Sequence, residues 1–174
     1  MLTKNNILKV LDVFFDDPDR KFHIRELARI AKMSPPGIIK ITGKLEKWGL
    51  LTVEKNGLTT DLSASKTDAF FHLKRSVNLY KVYESGVVDF LKKNYEEPEA
   101  IVLFGSYSRG EDTSRSDIDI AVITNKKTGS DMSKFEKILK RKISIHAVKI
   151  NLAEKDFINT LSNGIVLSGY LKVL

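Results

Sequence analysis

The segment that most constrains this chain is Val102–Val122, which reads VLFGSYSRGEDTSRSDIDIAV. An apolar run, Ala100 to Phe104, ends in Gly105-Ser106 and reads as a strand. After a polar loop the chain alternates as Asp117-Ile118-Asp119-Ile120-Ala121-Val122-Ile123. A period of two places Asp117 and Asp119 on one face of a strand, with Ile118, Ile120 and Val122 on the other. Residues two apart on a strand are separated by roughly 6.6 Å, so the two carboxylates can lean together over one or two divalent ions. Hard oxygen donors of this kind suit Mg²⁺. Gly105 lets the backbone approach a ligand closely, and a helix starting near Ser106 would offer free N–H groups to phosphate.

A chain of 174 residues makes one mid-sized domain or two small ones. With no cysteine there is neither a disulfide framework nor a thiolate metal site. No signal peptide precedes the first helix, and no apolar run approaches the roughly 20 residues of a membrane span. The expectation is a soluble cytoplasmic protein. The net charge of +7 is unevenly spread: positions 20–66 hold ten Lys/Arg against four Asp/Glu. Such a patch suits nucleic acid; the alternative is a solvated basic face with no partner.

Along the chain, Thr3 caps an expected helix from Lys4 to Phe15, with Ile7, Leu8, Leu11, Val13 and Phe14 on its apolar side. Asp16-Asp17-Pro18 stops it. A second helix is expected over His23–Lys32. Ser34 then caps a third, with Pro35 at its first position and Pro36–Trp48 following, ended by Gly49. Its phase puts Ile38, Ile41 and Leu45 inward and Pro36, Gly37, Lys40 and Lys44 outward. Leu50–Glu54 and Leu58–Ser63 read as strands around Asn56-Gly57, a strong hairpin signal. Lys66–Tyr95 is helical, broken near Ser85-Gly86. Its aromatics are core, packed on both domains or against a second copy of the chain as a homodimer. Then come a strand over Glu99–Phe104, a helix from Ser106, a strand over Asp117–Thr124, and a helix over Asp131–Lys142. A strand over Ile143–Ile150, a helix over Leu152–Leu161 and a last helix or strand over Ile165–Leu174 complete a small α/β sheet.

Gly105-Ser106, Gly110 and Ser116-Asp117-Ile118-Asp119 together resemble the signature of the DNA polymerase beta-like nucleotidyltransferases, closest to the small minimal members of bacteria and archaea. Three helices and a hairpin, with RELARIAKMSPPGIIKITGKLEKWGLL, resemble the winged helix-turn-helix of small transcription regulators. The two resemblances imply an α+β chain in three parts. Residues 1–65 form a winged helix DNA-binding domain, 66–95 a helical connector, and 96–174 a nucleotidyltransferase-like domain. They imply double-stranded DNA as a partner, with Ser34, Pro36, Gly37, Lys40 and Lys44 near the major groove and Lys55 and Asn56 at the wing tip. The third helix lacks Arg, Asn and Gln for bidentate base readout.

For the second domain the resemblance implies a nucleoside triphosphate and two Mg²⁺ ions as cofactors, with Asp117 and Asp119 as metal ligands. Gly105, Ser106, Gly110 and Ser116 lie on the nucleotide, and Arg109 and Arg115 are candidate phosphate contacts, the alternative for Arg109 being a solvated loop charge. The family's third carboxylate is expected at His146, and no acid lies between Glu136 and Glu154. His146 is then either a neutral general base or a strand histidine in a degraded site. The implied function is a DNA-bound nucleotidyltransferase, weak or inactive, with an unidentified acceptor. The alternatives are a transcription regulator whose second domain only binds nucleotide or a protein partner, or an antitoxin-like enzyme that modifies a small helical protein.

Overall fold

The computed structural model describes residues 5–57, 59–126 and 129–172. Thr3, Lys4 and Leu58, which carried expected element ends, lie outside them, as do Val173 and Leu174. The chain forms two compact units, Met1–Lys74 and Arg75–Leu174. The helical stretch 66–95 is divided between them. No helix of the described residues is long and apolar enough to cross a membrane.

In the first unit, Asn5 accepts a hydrogen bond from the Ile7 N–H at 2.9 Å and caps α1 (Asn6–Asp16). This helix buries Val10, Leu11, Phe14 and Phe15. The two-residue strand β1 (Phe22–His23) precedes α2 (Ile24–Ala31), so that helix starts one residue later than expected. Ser34 caps α3 (Pro35–Lys47) by accepting from the Gly37 N–H at 3.3 Å. Lys32, at φ 53°, sets the tight turn between α2 and α3.

The buried stripe of α3 is Ile38, Thr42 and Leu45; Ile41, expected in the core, is half-buried. Thr42 tolerates burial because its hydroxyl donates to the Ile38 carbonyl at 3.0 Å. Strands β2 (Leu51–Asn56) and β3 (Thr59–Ala64) form a hairpin, and β1 pairs with the other edge of β3. Asn56 pairs with Thr59, so Asn56 is the last strand residue and Gly57, at φ 59°, opens the turn. The Asn-Gly signal marks the hairpin but sits one residue off its centre.

In the second unit, α4 (Asp68–Ser85) ends and α5 (Val87–Asn94) begins around Gly86 at φ 79°. The sheet runs β6-β5-β4-β7, built from β4 (Ala100–Phe104), β5 (Ile118–Ile123), β6 (Ile143–Val148) and β7 (Ile165–Gly169). β4 is antiparallel to β5 and β7, whereas β5 and β6 are parallel. One face buries Ile101, Leu103, Ile118, Ile120 and Val122 against Val82, Val88, Leu91 and Phe135. The other buries Val102, Phe104 and Ala121 with Leu161. The segment after Leu161 is therefore a strand, fixed at its end by Gly169. A Cβ there would lie 2.1 Å from the Glu99 carbonyl oxygen.

The helix expected over Asp131–Lys142 is shorter. Asp131 accepts from the Ser133 N–H at 2.9 Å, which holds its carboxyl below the usual carboxylate range. α7 (Ser133–Leu139) then stops at Lys140, in the left-handed conformation with φ 54°. Helix α6 (Gly105–Arg109) follows β4, and α8 (Lys155–Ser162) precedes β7.

Candidate active site

The site begins where β4 runs out. Antiparallel pairing sets Phe104 opposite Asp119, and the next residue, Gly105, turns into α6 with φ 74°. A Cβ built on Gly105 would lie 2.5 Å from Asp119 Oδ2 and 3.4 Å from its Cγ. Both the backbone conformation and this close approach require glycine. The side chain of Asp119 is 30% exposed; Asp117, just before β5, is exposed. Ser106 is half-buried at the start of α6. Gly110 closes that short helix at φ 77° and is buried.

The loop between α6 and β5 is fastened from α4. Asn78, buried, donates to the Tyr107 carbonyl at 3.1 Å and to Asp112 Oδ1 at 2.7 Å. These two buried polar residues had no place in the motif. The sequence hint was an amide at helical spacing from Val82, on a stripe otherwise expected to be apolar. Ser116 serves the same loop, its hydroxyl accepting from the Thr113 N–H at 3.0 Å. Arg109 is exposed and pairs with Glu111 at 2.7 Å. Arg115 is exposed and lines a groove with Ser116 and Asp117.

On β6, the parallel register places Ser144 opposite Asp119 and His146 opposite Ala121. His146 Nε2 still lies 3.8 Å from Asp119 Oδ1, with its side chain 42% exposed. Its ring packs against Phe104 and Phe157, at centroid distances of 5.3 and 6.1 Å. Ser144, not singled out from sequence, shares the face of Asp119, because period two gives positions 144 and 146 the same side. Two carboxylates suit one hard cation that completes its shell with water and phosphate oxygen. A nitrogen donor at His146 does not add a hard ligand. Among the described residues no cluster of three or more His, Cys, Asp or Glu side chains could hold a metal ion.

Residues 86–169 match the family model described as Polymerase beta, Nucleotidyltransferase. This stretch is a polymerase beta-like nucleotidyltransferase domain. It covers just under half of the chain, from the start of α5 to the end of β7. No curated protein and no solved structure matches. Within the nucleotidyltransferase domain, the Gly105 turn and Asp119 are brought together by strand register. Asp117, Ser106 and Ser116 flank them in the chain.

In the first unit, Ser34, Pro36, Lys40 and Lys44 are exposed and Gly37 is half-buried, as is Gly43 one turn above Lys40. Ile39, exposed on the same helix, joins Arg25 and Arg29 of α2 and Thr59 and Thr60 of β3 around an open cavity of about 930 Å³. Those two arginines, not singled out from sequence, bring to α3 the guanidinium groups that helix lacks. Lys55 is exposed on β2. Asn56 spends its amide within the hairpin, donating to Asp61 Oδ2 at 2.9 Å. His23 Nδ1 stands 2.8 Å from the other Asp61 oxygen.

Proposed function

We propose that this chain ties a nucleotidyltransferase to DNA: the first unit is a winged helix that binds duplex DNA, and the second transfers a nucleotide from Mg²⁺-NTP to an acceptor. The observation that carries the catalytic half is the contact between Gly105 and the Asp119 carboxylate. It brings the Gly105 backbone, with no side chain intervening, directly against a metal-type ligand. Asp117 and Asp119 would hold Mg²⁺, which when bound neutralises charge on the triphosphate. Gly105 and Ser106 seat the terminal phosphates. An acceptor hydroxyl forms a bond to the α-phosphorus as the bond to pyrophosphate breaks. Its proton passes to solvent or to His146, the nearest imidazole. Positioning and electrostatics carry most of such chemistry.

The DNA half is supported by the α2-turn-α3 arrangement and its hairpin, with Lys40 and Lys44 exposed on α3. A soluble cytoplasmic setting suits this reading.

A second reading is favoured by β6, whose residues beside Asp119 are Ser144 and His146, neither of them an acid. In that reading the domain binds nucleotide and transfers it slowly or not at all, and so serves as a sensor for the DNA-binding unit. Transfer of α-labelled NTPs to protein and nucleic-acid acceptors, in Mg²⁺ and in Mn²⁺, separates the two. Slow transfer in the wild type that rises in Ser144→Asp or His146→Asp is expected for a working site short of one acid. No transfer in any of them, with NTP still bound, supports the sensor. NTP neither bound nor transferred by any of them removes the catalytic half.

A further inference from the structure

Beside Asp117, on the side where β5 and β6 begin, lies an open groove of about 510 Å³ that shares Arg115, Ser116 and Asp117 with the expected nucleotide site and extends beyond it along α7 and the turn into β6. Five cations line it: Arg115, Lys137, Lys140, Arg141 and Lys142. Its two acids are Asp117, which belongs to the dyad, and Glu136, which accepts from the Ile143 N–H at 3.0 Å. The rest of the lining is Ser114, Ser116 and Ser133. The cations are gathered by two backbone features. The left-handed Lys140 ends α7 early, so Lys140 to Lys142 form the turn into β6. The Lys142 carbonyl accepts from the Ile118 N–H at 2.9 Å, which anchors that turn beside the start of β5. Arg115, Lys140 and Lys142 are exposed and form no ion pair among the described residues.

We infer that this groove binds the phosphate backbone of a single nucleic-acid strand and leads one end of it to the dyad as acceptor. Its role in binding stands on the groove alone; its role as acceptor site rests on the transfer reading above. The chemistry favours a strand over the other anions available. A protein partner needs an apolar or aromatic anchor at the centre of its contact, and none lines the groove. No ring is there for a base to stack on, so contact is through phosphate and tolerant of sequence. On the transfer reading the phosphates of a bound NTP are held at the Gly105 turn, and five cations, four of them exposed, exceed what that turn requires.

The test uses the full chain carrying Lys40→Ala/Lys44→Ala, so that duplex binding on α3 does not contribute. Fluorescence anisotropy follows twelve-residue oligothymidylate and oligouridylate over a range of salt. Each phosphate contact on a single strand contributes about −0.7 to the slope of log affinity against log salt. Adding Lys137→Ala/Lys140→Ala/Lys142→Ala is expected to weaken binding at least tenfold and to make the slope shallower by about 2. Mg²⁺-NTP affinity stays as it was. The charge-keeping set Lys137→Arg/Lys140→Arg/Lys142→Arg retains strand binding, which separates lost charge from lost fold. A preference between the two oligonucleotides tells DNA from RNA. Unchanged strand affinity in the alanine set overturns the proposal. So does a loss of Mg²⁺-NTP affinity alongside it, which would give the groove to the nucleotide, or tighter binding of deca-glutamate than of either strand. If instead the dyad proves not to bind NTP, a strand affinity that depends on the three cations still upholds the binding site.

Discussion

At the scale of single residues, Gly105 has the most demanding position in the site. Its φ of 74° is one that side-chain-bearing residues rarely adopt, and a methyl group would collide with Asp119 Oδ2. Gly105→Ala is expected to cost about 1–3 kcal/mol of stability and to displace the carboxylate, lowering Mg²⁺-NTP affinity at least tenfold. Gly129→Ala, with nothing within 4 Å of the added Cβ, should change neither. Paired thermal melts and titrations check both. The strand from Ile118 to Ile123 was readable because its apolar residues alternate with period two, although Asp117, expected on it, falls just before its start. The residue opposite Asp119 was not. Apolar spacing points to His146, which does stand 3.8 Å from Asp119 Oδ1 on the adjacent strand, but it gives no sign of Ser144, which the parallel register sets directly opposite. A slip of two residues keeps every side chain on its face and so leaves no mark in the pattern.

At the scale of elements, α3 shows how far helical phase carries. Leu45 is fully buried and Lys40 and Lys44 are exposed. Leu45→Ala should cost about 2–5 kcal/mol, whereas each lysine change should stay within about 0.5 kcal/mol while weakening duplex binding. Melts and mobility shifts together check this, and the opposite ranking of melts would contradict the phase. Ile41 and Thr42 were harder to place. A hydroxyl reads as polar until its partner is known, and here the Ile38 carbonyl supplies one. β1 escaped because two residues cannot show a period. The end of α7 escaped because Lys140, Arg141 and Lys142 all favour helix. What overrides that preference is the pairing of Ile143 with Ile118, a contact remote in sequence.

At the scale of the whole molecule, the chain joins a basic first unit to a nucleotidyltransferase domain. If the first unit grips duplex DNA through its +6 segment, log affinity against log salt for the full chain should fall with a slope of about −3 to −6. Lys40→Ala/Lys44→Ala should make it shallower by about 2. Binding to duplex that ignores salt would remove DNA from the account. The central claim, however, is that Asp117 and Asp119 hold Mg²⁺ together with a nucleoside triphosphate. Without the ion, two carboxylates repel the phosphates; with it, they share the charge. Isothermal titration calorimetry of NTP, with and without Mg²⁺, tests this most directly. The account predicts an affinity at least tenfold higher with Mg²⁺ in the wild type, and most of that gain lost in Asp117→Asn/Asp119→Asn. An equal Mg²⁺ dependence in the double variant would contradict it and place the nucleotide elsewhere.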